Sequence, residues 1–111
     1  MAYDERLADR IRDLLKSQSG ISERKMFGGL AFMHRGHMIC GIVKDELMVR
    51  VGADQYEDAL ARPHARPMDF TGQPMRGMVF VAPGGHSQGD ALRSWVEQSL
   101  AFARTLPPKT P

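Results

Sequence analysis

The chain has 111 residues, 42% hydrophobic and 25% charged, with 15 basic against 13 acidic side chains and a formal charge of +2. That length suits one core rather than two, so residues 1–111 read as a single domain with frayed ends at 1–2 and 106–111. The composition excludes a disordered chain, and so mild a charge does not by itself predict a polyanionic partner.

One cysteine, Cys40, excludes an intramolecular disulfide. No apolar run approaches the ~18 residues of a membrane span, and the start Met-Ala-Tyr-Asp-Glu-Arg is acidic where a signal peptide is basic. A cytoplasmic protein with no membrane contact is expected.

From Tyr3 to Gln18, the residues Leu7, Ile11, Leu14 and Leu15 fall at i, i+4, i+7 and i+8. That spacing predicts an amphipathic helix packed on the core, with Asp4 as N-cap and Ser19-Gly20 as the stop. From Arg24 to Val51 the apolar residues form three runs, broken at Arg35-Gly36 and at Lys44-Asp45-Glu46. Three antiparallel strands joined by tight turns are expected. In the first, Phe27, Gly29, Ala31 and Met33 face one way and Met26, Gly28, Leu30 and Phe32 the other. In the second, Met38, Cys40 and Ile42 oppose Ile39, Gly41 and Val43. Both faces of these strands are apolar, so both should be covered. The adjacent Gly28 and Gly29 mark a bulge, a bend or a close approach of another backbone.

A short helix is expected over Asp54–Ala61, ending before Pro63, with Pro63–Pro67 as an extended connector. Met68–Phe70 and Met75–Val81 read as strands, separated by a turn at Thr71–Pro74. Ser87 with Asp90 resembles a capping box at the start of the last helix, whose apolar stripe is Leu92, Trp95, Val96, Leu100 and Ala103. The predicted fold class is α+β, an antiparallel sheet of about five strands with flanking helices in the order α-β-β-β-α-β-β-α.

No nucleophile with a partnering base, acid-base pair or phosphate loop emerges; Gly84–Asp90 reads as a turn and helix cap. No catalytic residue and no cofactor is assigned. His34, His37 and Cys40 are potential metal ligands, but simple strand alternation puts Cys40 opposite to His37, and no metal site is assigned. Cys40 reads as a core thiol. Arg62, Arg66 and Arg76 form a candidate nucleic-acid patch without stacking aromatics or a recognition helix. The methionines cluster in the predicted strands, several on a face that the helices need not cover, and Met33, Met38, Met48 and Met78 are the candidate interface residues.

The run Lys25-Met26-Phe27-Gly28-Gly29-Leu30, the hairpin glycine Gly36, the strand Met75–Val81 and the closing helix with Trp95 resemble the TfoX/Sxy N-terminal domain family over about Tyr3 to Thr105. The motif carried over is Lys25, Met26, Phe27, Gly28 and Gly29. The resemblance implies an α+β fold akin to secretion chaperones, which commonly dimerise, and no catalytic residues. The resemblance also implies a positive regulator of competence genes that works with the cyclic-AMP receptor protein. The full-length regulators carry a second, C-terminal domain that these residues do not include, so a stand-alone domain is expected.

The leading expectation is a non-enzymatic regulatory or protein-interaction domain, a homodimer with an unidentified protein partner and a role in transcription. The alternative is direct nucleic-acid binding through the arginines. A weaker one is a metal protein or enzyme using His34 and His37.

Overall fold

The structure is a computed structural model, and it describes residues 3–26, 28–67 and 77–106. The first helix, α1 (Glu5–Leu15), begins where the Asp4 carboxylate accepts from the Arg6 and Leu7 amides at 2.9 and 3.1 Å. This side-chain cap satisfies two of the amides that a helix start leaves free. Leu7, Ile11 and Leu15 are buried along one face, and Gly20 (φ 78) reverses the chain beyond the helix.

Four strands follow: β1 (Ile21–Met26), β2 (Gly29–His34), β3 (His37–Val43) and β4 (Glu46–Arg50). Next come a 3-10 turn at Ala53–Gln55, α2 (Tyr56–Leu60), β5 (Ala65–Pro67), β6 (Met78–Val81), a second 3-10 turn at Pro83–Gly85, and α3 (Gly89–Arg104). Among the described residues the strands form one antiparallel sheet of six, in the order β1-β2-β3-β4-β6-β5.

The fold class is the expected one, with two changes in the strands. The first predicted strand is a hairpin: Met26 pairs with Gly29, and Gly28 lies in the turn between β1 and β2. The expected connector also contains β5, which pairs with β6. The predicted strand Met68–Phe70, the turn at Thr71–Pro74 and the tails 1–2 and 107–111 lie outside the described residues.

The capping box does not form. Gln88, not Ser87, is the N-cap of α3 and makes no side-chain cap bond, and the Ser87 amide donates to the Pro83 carbonyl at 2.9 Å.

Helices α1 and α3 cover one face of the sheet, where Leu7, Ile11, Trp95, Val96 and Leu100 join Phe32, Ile42, Leu47, Val49 and Val79 in the main core. Every residue of the predicted α3 stripe is buried. Ser99, buried among them, donates to the Val96 carbonyl at 2.8 Å, which meets its hydrogen-bonding need inside the helix. Arg12 of α1 donates twice to the Glu23 carboxylate of β1, at 2.7 and 2.8 Å. That bidentate bond holds the Glu23 carboxyl below its usual range, against desolvation.

Candidate functional site

The motif residues meet at the β1–β2 hairpin. Lys25 is exposed on β1 opposite Leu30. Met26 ends that strand, its side chain not described, and Phe27 lies outside the described residues. Gly28 is exposed with φ 75 and open space around its Cα, so its role is the turn itself. Gly29 is buried, and a Cβ built there would stand 1.9 Å from the Ile42 carbonyl oxygen. The paired glycines therefore do two separate jobs: one turns the chain, and the other lets β3 close on β2.

On the sheet face opposite the main core, Met48, Met78 and Phe80 form a second cluster, with Met38 and Val43 packed against it. Gly41 makes room for it, since a Cβ there would lie 2.6 Å from the Met48 methyl carbon. Met48 is 0% exposed and Met78 8%. Both are candidate interface residues from the sequence, and both are buried within their own chain. Met33 and Met38 are half-buried and sit opposite one another across β2 and β3. They are the accessible part of the predicted interface.

Arg62 and Arg66, two of the three candidate arginines, each have partners within the chain. Arg62 lies over the Trp95 ring, 3.5 Å from its centroid, and donates to Gln98 Oε1 at 2.9 Å and Ser94 Oγ at 3.2 Å. It ties the end of α2 to α3, and desolvation lowers its pKa. Arg66 stands over the Phe80 ring at 4.7 Å and pairs with Glu46. Both guanidiniums are engaged within the chain, on different elements; Arg76 lies outside the described residues. The sequence held no signal for the Arg62–Trp95 stack, which joins residues far apart in the chain.

His34 and His37 pair across the tight turn Arg35-Gly36, where both residues have positive φ (51 and 87). That is the two-residue turn expected, with the backbone hand that suits a twisted hairpin. The expected separation of His37 from Cys40 is overturned. Phe32 pairs with Cys40 and Met33 with Met38, which leaves Ile39 as an extra residue in a β-bulge. The bulge resets the alternation: His37 now shares the helix-side face with Cys40, and Met38 moves to the opposite one.

Among the described residues, even so, no three His, Cys, Asp or Glu side chains are placed to share a metal ion. Cys40 is fully buried, which pushes its thiol up to about 12, far from the thiolate that reactivity requires. His34 is 7% exposed, and its pKa is lowered by desolvation and then by the nearby Arg35, Arg104 and His37.

A lowered histidine pKa has a definite sign in stability. Above the unfolded-state value near 6.5 both states hold His34 neutral; below it the unfolded chain takes up the proton first. Stability is therefore expected to fall as pH drops from that value through the lower folded one. Urea midpoints of the native chain and of His34→Gln between pH 7.5 and 5 check this: the slope should be shallower in the variant.

The architecture and the sites together define a class: a small α+β domain on one antiparallel sheet, whose distinctive glycines shape a hairpin. The family model for the TfoX N-terminal domain matches residues 13–103, and the chain belongs to that family, whose members include competence regulators. No curated protein and no solved structure matches it.

Proposed function

We propose that this domain is a non-enzymatic regulatory module that acts by protein–protein contact in transcription control, working as a homodimer in the cytoplasm. The observation that carries the reading is the pair of half-buried methionines, Met33 and Met38, side by side on the sheet face opposite α1 and α3. Methionine is adaptable, and its presence at a partly open apolar spot suits a surface that must fit another chain. The family match supports the regulatory part.

Engagement of Arg62 by Trp95 and of Arg66 by Glu46 and Phe80 favours contact through protein over direct contact with DNA. The reading is tested by sedimentation equilibrium of the purified chain. A concentration-dependent dimer is expected; a strict monomer at the highest soluble concentration would overturn it.

A further inference from the structure

Between the β2–β3 turn, the last turn of α3 and the segment after α1 lies a cavity of about 360 Å³. His34, Arg35, His37 and Arg104 line it, with Gln18 and Ser19, and among the described residues no carboxylate lines it. We propose that this cavity binds a small oxyanion, a phosphate or carboxylate group held by Arg35 and Arg104 together with the His34–His37 pair.

The first argument is the sign of the charge. Two permanent cations and two imidazoles converge on one space from three elements: His34 on β2 and His37 on β3, Arg35 in their turn, and Arg104 on α3. The segment after α1 adds only the neutral Gln18 and Ser19. A metal ion there would meet the repulsion that already disfavours protonation of His34. An oxyanion would reverse it, since every one of these side chains can donate to oxygen.

The second argument is positioning. Arg104 donates to Gln18 Oε1 and so bridges from α3 to the opposite wall. Arg35 is fixed by its backbone, with φ 51 and its amide bonded to the Gly20 carbonyl at 2.9 Å. That conformation is cheaper for glycine or asparagine, so a long cation there carries a small cost that its side chain can offset by binding. The negative end of α3 is also muted. Its Phe102 carbonyl accepts from the Thr105 amide and hydroxyl, and its Ala103 carbonyl from the Leu106 amide.

The volume lies at the low end of small-ligand pockets, which fits a compact anionic group better than a nucleotide. Protonation of His34, which the surrounding cations disfavour, and binding of the anion should reinforce each other, so binding tightens as pH falls from 8 to 6.

The test is NMR of the imidazole nitrogens in the full chain, titrated with inorganic phosphate or with acetate, ionic strength being held constant with chloride. A saturable shift of His34 and His37 with either anion supports the site, and the stronger of the two responses tells phosphate from carboxylate recognition. Arg104→Gln and Arg35→Gln, both at exposed positions, should each weaken binding about tenfold, the loss of one charge-assisted contact. Arg93→Gln, on α3 away from the cavity, should leave it unchanged. Absence of a saturable shift at pH 6 with both anions would overturn the proposal, as would equal binding by all three variants.

Discussion

Gly29→Ala is expected to destabilise the domain by about 3 kcal/mol or more, at the upper end of the usual cost of overpacking. The neighbouring Gly28→Ala should cost only about 1 kcal/mol, the penalty of a left-handed conformation for an L-residue. The difference follows from what each added methyl meets. At Gly28 it meets nothing within 4 Å, whereas at Gly29 it lands 1.9 Å from the Ile42 carbonyl oxygen and 3.2 Å from a Val43 methyl. A backbone oxygen in the middle of the sheet cannot swing aside as a side-chain tip can. Either β3 moves away from β2 or the hairpin opens. For a domain whose total stability is on the order of 5–15 kcal/mol, that loss is large. Urea denaturation of the two variants measures both values, and equal costs would show that the glycines serve only the turn.

Trp95→Ala is expected to cost about 3–5 kcal/mol, the range for emptying a large buried aromatic site. Trp95 is 1% exposed and belongs to the main core with Leu92, Val96 and Leu100. It also carries Arg62 on its ring, so its removal takes away the surface that the Arg62 guanidinium stacks on. Arg62→Ala alone should cost less, through loss of the stack and of the bonds to Gln98 and Ser94. In a double-mutant cycle the pair should be coupled by about 1 kcal/mol, the value of a partly desolvated cation–π contact. Strict additivity would show that the stack contributes nothing and that Arg62 is held by its hydrogen bonds alone.

Much of this architecture is written locally in the chain. The Asp4 cap, the Leu7–Ile11–Leu15 face and the Leu92–Ala103 stripe follow from helical period, and the His34–His37 turn from its two-residue break. What escapes local pattern does so for physical reasons. β1 carries Ser22, Glu23, Arg24 and Lys25, all exposed, because it is an edge strand, and charge on an edge discourages pairing with other chains. Such a strand has no apolar alternation to read.

The bulge at Ile39 inverts the side-chain faces at the start of β3, and nothing in His-Met-Ile-Cys announces it. The burial of Met48 and Met78 depends on the space over Gly41 and on the approach of Phe80 from a distant strand. The cavity at Arg104 escapes for the same reason, since Gln18, His34 and Arg104 come together only in the folded chain. Of the candidate interface, Met33, Met38, Met48 and Met78 share the face away from the helices, Met38 only because the bulge turns it there.

The central claim, association through the open end of that face, is tested most directly by the double substitution Met33→Lys, Met38→Lys. Two like charges placed opposite one another on β2 and β3 would disfavour a second copy there, while the side chains stay partly in water within the single chain. Sedimentation equilibrium should show the native chain as a dimer and the variant as a monomer, with circular dichroism confirming that both are folded. A folded variant that dimerises as tightly as the native chain would contradict the account.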